Sequence, residues 1–232
     1  MKAIILLRAY WWNCFNNELK ALGEYLVEYL KEVSTQSIAA DVIQKHQEKL
    51  SSDAEITYFL NFNYTNTLNT VLKGFQGKHH INHIHGSIDN DIIFGYGDEM
   101  DKNYKLIEEL NENLFFEHIK SFGYFKKDNY SHLLSFLSSG KYEVCIYGHS
   151  CGLSDRVMLK EIFEQDNCTS IRVYHYNAAE YTTKTMDISR HFDSNSLMRK
   201  RIVSFSKEDR IPQVGGWGRE FDALVFWLWS CC

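Results

Sequence analysis

The sequence predicts an α/β protein, a mostly parallel sheet flanked by helices with an added helical subdomain. Strand-like and helix-like stretches alternate through the second half, the order that parallel strands joined by crossover helices produce. The stretch YEVCIYG at 142–148 carries few charges, as a strand covered on both faces does. Hydrophobic residues fill 44% of the 232 positions and charged residues 24%, globular values that allow one large core.

Taken in order, MKAIILLRAYWW opens with an expected strand, Ala3 to Leu7. Leu19, Leu22, Leu26, Leu30 and Val33 then recur at spacings of three and four, which predicts an amphipathic helix from Asn16 to about Val33. A shorter helix follows from Ile38 to Leu50, so residues 1–54 form a helical amino-terminal part. EITYFLNF, 55–62, is aromatic and β-branched and reads as a buried strand. NTLNTVLKGF reads as a helix ending near Gly74, and INHIHG and DIIFGYG as short strands stopped by glycine. Residues 103–139 have a helical pattern, with a break expected at Gly123. Next come the strand YEVCIYG, the helix SDRVMLKEIFEQ with Ser154 or Asp155 near its cap, the strand SIRVYHYN and the helix AAEYTTKTMDISRHF. The main α/β domain therefore spans 55–210, with 103–139 as its helical insert. The remaining 211–232 ends in apolar FDALVFWLWSCC, which suits a buried strand, a buried helix or a sticky tail.

Composition narrows the function. The net charge is −5, the charges are mixed, and the basic runs at 126–127 and 199–201 are short, so no nucleic-acid surface is expected. Six cysteines include no C-x-x-C pair, so no structural zinc site is spelled and no metal is expected. No signal peptide or bilayer-length apolar stretch is present, which predicts a reduced, cytoplasmic protein with no membrane partner.

Three clusters hold residues suited to chemistry. Asn61–Thr67 follows a strand, where ligands bind in open α/β sheets. Asn63 can donate and accept hydrogen bonds there, with Tyr64 beside it, although Asn and Thr also serve ordinary turns and caps. The second is HHINHIHGS, 79–87. If it is a strand throughout, His83 and His85 share a face and could hold a metal, act as a base, or simply pack. No acid or cysteine at ligand spacing completes a metal set. His85 is the sharper candidate, because Gly86 after it lets a ligand or backbone come close. The third is Gly148-His149-Ser150-Cys151-Gly152, a G-x-S-x-G turn. Ser150 as a hydrolase nucleophile would need an acid and then a histidine, from Asp155, Asp166 or Asp187 and His175 or His191. The competing reading is a nucleotide seat. Gly148 and Gly152 allow approach, a helix start favours an anion, and His149, Ser150 and Asp155 supply polar contacts.

Taken together, LNFNYTNTL, HIHGS, IIFGYGDE and YGHSCGLSD resemble the bacteriophage abortive-infection AbiH family over roughly Glu55 to Phe205. More remotely they resemble sirtuin-like, Rossmann-like NAD-processing domains. The resemblance implies that Asn63 orients a water or ribose, that His85 is the catalytic histidine, and that Gly148, Ser150 and Asp155 contact the nucleotide, with Tyr64, Gly86 and His149 beside them. It implies NAD as substrate or ligand, cleaved between nicotinamide and ribose, an antiviral role that depletes NAD in an infected cell, and a phage-derived trigger or partner protein. A homo-oligomer is a further expectation. Two features depart from the pattern. Thr65 stands where the sirtuin-like motif has Asp, and the family's glycine-rich first loop is missing, since no glycine precedes Gly23. That departure points to a divergent or truncated member. It raises the alternative of a non-catalytic nucleotide or phage-component sensor, beside the serine-hydrolase reading.

Overall fold

The computed structural model describes residues 2–34, 38–51, 53–97, 99–212 and 226–231. Two helices come first, α1 (Lys2–Val33) and α2 (Ala40–Leu50). The expected strand Ala3–Leu7 is instead the first part of α1. Five apolar residues in a row suit either period, and no proline or glycine separates them from the helical pattern downstream, so the helix extends through them.

The sheet is built from β1 (Ile56–Asn61), β2 (His79–His83), β3 (Tyr142–Tyr147), β4 (Cys168–Val173) and β5 (Phe226–Cys231), in the order β2-β1-β5-β3-β4. β1 pairs with β2, and β3 with β4, in parallel. β5 lies between the two pairs and runs antiparallel to both β1 and β3. The sheet is therefore mixed: the apolar tail enters its centre as a strand, in the opposite direction to its neighbours. Phe226 is opposite Asn61 on one side and Tyr147 on the other, so β1 and β3 end at the same rim. Whatever follows each of them projects from that rim.

Alternation sorts the side chains into two layers. Tyr58, Leu60, Val144 and Ile146 face one core with Leu133 and Leu137 of α6 (Asn129–Ser139) and Leu159 and Ile162 of α7 (Arg156–Glu164). Phe59, Cys145 and Tyr147 face the other, with Leu50 of α2 and Leu68 and Val71 of α3 (Thr67–Val71). Phe59 and Leu60 are fully buried, and each such residue contributes about 1.5–3 kcal/mol.

Helices α4 (Lys102–Glu109) and α5 (Lys120–Tyr124) precede α6; α8 (Ala178–Ser189) and α9 (Asn195–Arg201) follow β4. The helical pattern expected over 103–139 with one break at Gly123 is interrupted twice, between α4 and α5, where only a short 3-10 turn forms at Asn113–Phe115, and between α5 and α6, with Gly123 inside α5. DIIFGYG does not form a strand. It folds back on the preceding segment, where the Ile93 amide donates to the His85 carbonyl at 2.7 Å, and only Tyr96 makes an isolated bridge, to Ile119. α1 packs on this region: Asn16 donates to the Leu114 carbonyl at 2.9 Å and to Glu117 at 2.7 Å, and Phe94 lies against Gly23. Among the described residues no helix is long and apolar enough to cross a membrane.

Candidate functional site

The site begins where β1 ends. Asn61 is fully buried; its Oδ1 accepts from the Asn63 amide at 3.0 Å and turns the chain toward Tyr64. Its Nδ2 meets His83 Nδ1 at 3.2 Å, and His83 Nε2 meets Asn69 Oδ1 at 3.0 Å. His83 thus ties β1, β2 and α3 together. Since β2 stops at His83, strand alternation does not extend to His85, and the two rings go to separate partners. The shared-face metal pair is not formed, and no group of three metal-ligating side chains occurs among the described residues.

A tight turn inserts His85. The Gly86 amide donates to the His83 carbonyl at 2.9 Å, and Gly86 sits at φ +82°. A Cβ there would lie 2.1 Å from the Asp91 carbonyl oxygen, so backbone packing requires this glycine. The His85 ring is buried. It lies edge-on to Phe62 at 5.3 Å and parallel to Tyr124 at 6.0 Å. Its Nε2 is 3.0 Å from the Tyr124 hydroxyl and 3.1 Å from Asp155 Oδ1.

The turn after β3 supplies the other wall. Gly148 at φ +74° and Cys151 at φ 55° both take left-handed conformations, which point His149 inward and leave Ser150 exposed. His149 Nδ1 accepts from the Cys151 amide at 3.0 Å, which leaves the ring proton on Nε2, 3.9 Å from Asp155 Oδ2. Its ring packs on Phe62 at 4.2 Å, so Phe62 touches both imidazoles. Lys184 of α8 donates to the His149 carbonyl at 2.7 Å and holds the turn from outside.

Asp155 is the centre of the cluster. It stands at the cap position of α7 but makes no side-chain cap bond; its carboxylate turns inward instead. Oδ1 accepts Lys120 Nζ at 3.0 Å as well as facing His85, and Oδ2 accepts the Ser154 hydroxyl at 3.1 Å. Burial alone would raise its pKa, but the hydrogen bond with His85 and the charge of Lys120 hold it well below the usual carboxylate range. Burial lowers both imidazoles, His149 to about 3 despite the attraction of Asp155. Near neutral pH Asp155 is therefore ionised and both rings are neutral.

A pocket of about 180 Å3 opens on this centre, lined by Lys120, Ser154, Asp155, Gly97 and the rings of Tyr124 and Tyr130. The two tyrosines stack face to face on each other at 5.1 Å and 7°, an aromatic stack at the edge of the pocket. Burial pushes the Tyr124 hydroxyl far up, so it stays protonated. A backbone hydrogen bond to Phe62 occupies the other nitrogen of His85, so Nε2 serves Tyr124 and Asp155 in turn: without a proton it accepts from the Tyr124 hydroxyl, and with one it donates to Asp155. Asp155 at 3.1 Å would stabilise the imidazolium that forms.

The sequence candidates thus divide. His85, His149 and Asp155 converge, and Tyr64 stands near, its ring 6.4 Å from His85 and its hydroxyl donating to the Ile93 carbonyl at 3.0 Å. Gly86 and Gly148 shape the two turns. Asn63 is half-buried at the rim, and Ser150 faces solvent; of the sequence candidates Asp155 alone lines the pocket, and His85 lies behind it, in contact with Tyr124 and Asp155. Sequence reasoning missed Lys120, Tyr124 and Tyr130, which come from the helical insert.

The family assignment follows from a comparison along the chain. A family model described as bacteriophage abortive infection AbiH matches residues 7–176. The chain belongs to the AbiH family. The match includes His85, Lys120, His149 and Asp155, so the whole centre lies within the AbiH region, whereas β5 lies beyond it. No curated protein and no solved structure matches.

Proposed function

We propose that this AbiH protein acts in antiphage abortive infection, within the cytoplasm, by binding NAD at the rim of the sheet and cleaving it between nicotinamide and ribose. The observation that carries the reading is the buried centre of His85, Lys120 and Asp155, placed where β1 and β3 end together and opening on a pocket with an aromatic stack at its edge. That pocket is smaller than the usual range for ligand sites, roughly 300–1,000 Å3. It takes one ring-sized part of a dinucleotide, packed against the Tyr124–Tyr130 stack. The rest of the nucleotide lies along the rim, against Asn63, Tyr64 and the Gly148–Ser150 turn.

In this reading His85 is the base, taking a proton from a ribose hydroxyl or water through Tyr124, and Asn63 positions that oxygen. Asp155 orients the imidazole and stabilises it once protonated, while burial and the charge of Lys120 keep it neutral until the proton arrives. A phage-derived trigger or partner protein sets the timing. Calorimetry with NAD and ADP-ribose, together with nicotinamide release in phage-infected extract, tests it. Binding and release, both lost in Asp155→Asn, support the reading. Binding without release assigns the same site to a sensor, and neither result in any extract removes the nucleotide.

The serine-hydrolase alternative is not favoured by geometry. His175 and His191, the two histidines downstream of Ser150, direct Nε2 at the carbonyls of Ser206 (3.1 Å) and Cys151 (2.7 Å).

A further inference from the structure

Helix α1 carries a row of uncovered large side chains. Trp11, Phe15, Leu22, Tyr25 and Tyr29 are exposed, Trp11 at 65% and Tyr25 at 68%, and Tyr10 flanks them. At 3.6 residues per turn these five fall within about 80° of the helix circumference. Their spacings of four, seven, three and four match alternating a and d places of a heptad repeat, with Glu18 at the remaining place. The stripe is separate from the side of α1 already in use, where Asn16 and Gly23 are buried. The apolar face of α1 is therefore wider than the body beneath it covers.

We propose that this stripe pairs with the same stripe on a second copy of the chain, with the two α1 helices antiparallel. The area suffices. An aromatic side chain offers roughly 150–250 Å2, so six residues at about this exposure present roughly 600 Å2 per copy. A pair then buries roughly 1,200 Å2, the lower end of specific interfaces, and one copy alone reaches the upper limit of patches on monomers. Charge sets the direction. Residues 2–17 contain Lys2 and Arg8 and no acid, a net +2, whereas residues 18–33 hold Glu18, Glu24, Glu28 and Glu32 beside Lys20 and Lys31, a net −2. Antiparallel pairing sets the basic half against the acidic half, while parallel pairing would stack acid on acid and Glu18 on Glu18. The helix dipoles also favour it. The same acids disfavour an anionic lipid surface as the occupant.

Sedimentation velocity of the full chain under reducing conditions, with Leu22→Gln and Tyr25→Gln beside it, tests the proposal. The expected result is a dimer, weakened at least tenfold by each substitution with the helical circular dichroism unchanged. Tyr25 is so exposed that its replacement leaves the fold intact, which keeps the test valid if Leu22→Gln unfolds. An amine cross-linker tests the direction. Lys2 and Lys31 are roughly 43 Å apart along one helix, at 1.5 Å per residue, beyond a short linker. A Lys2–Lys31 cross-link therefore reports two antiparallel copies. A monomeric wild type, a dimer indifferent to both substitutions, or a dimer without that cross-link would overturn the proposal. So would a monomer that floats with lipid vesicles through these same residues.

Discussion

Lys120 and His85 meet the same oxygen of Asp155, at 3.0 and 3.1 Å. The three residues come from α5, the turn after β2, and the turn before α7, and the carboxylate holds those segments at one point. All three are buried. Removing one charge of a buried pair strands the other, which costs far more than a surface salt bridge contributes.

Lys120→Met is therefore expected to destabilise the fold by about 3–5 kcal/mol, because Asp155 is left buried with only neutral donors. Urea unfolding of the variant checks this. A loss below 1 kcal/mol would mean that water reaches Asp155.

Stability should fall on acidification, and the sign follows from the direction of each shift. His85 and His149 have folded pKa values below 6.5, so the unfolded chain binds protons first as pH drops. Their contribution is complete above about 6.5 and declines toward about 3, where His149 titrates, by up to about 1.4 kcal/mol per pH unit for each ring. Asp155, with a depressed pKa, adds a loss in the same direction at still lower pH, once unfolded aspartates protonate near 3.8. Thermal melts from pH 8 to 4 should show a steepening loss below 6.5, shallower in His149→Gln.

Gly86→Ala should cost stability and move His85. The new Cβ meets the Asp91 carbonyl oxygen at 2.1 Å, and φ +82° is strained for alanine. A loss of about 1–3 kcal/mol is expected from the backbone conformation alone. Denaturant titration measures it, and an unchanged midpoint would contradict the turn described here.

Tyr124→Phe keeps the stacked ring and removes the hydroxyl next to His85. A relay of the proton predicts a fall in turnover of about 10²-fold with nucleotide binding retained, the scale of a lost general acid–base contact. Ser150→Ala, by contrast, changes an exposed side chain and should alter stability by less than about 0.5 kcal/mol. A fluorophosphonate probe is expected to label neither form.

Much of the sheet was legible because its signals are local. β1, β3 and β4 announce themselves by aromatic and β-branched runs, and α7 by its apolar spacing. The centre was legible in part, since His85, His149 and Asp155 all follow strands. Lys120 and Tyr124 were not, because the insert that carries them, HIKSFGYF, has no spacing that reveals where it packs. β5 illustrates the same limit. Its apolarity suits a buried strand, a buried helix or a sticky tail alike, and neither its place between β1 and β3 nor its reversed direction is encoded in the segment itself. His83 shows the converse: period-two alternation pointed it beside His85 only as long as the strand was assumed to continue, and the turn at Gly86 ends it.

In the proposed reaction a buried imidazole, joined to the pocket through Asp155 and Tyr124, breaks the bond between nicotinamide and ribose. Nicotinamide release from NAD, followed for wild type and His85→Ala in extract from phage-infected cells, tests it most directly. The account predicts release by the wild type and a loss of at least about 10²-fold in the variant. Equal rates, or none from either protein in any infected extract, would contradict it.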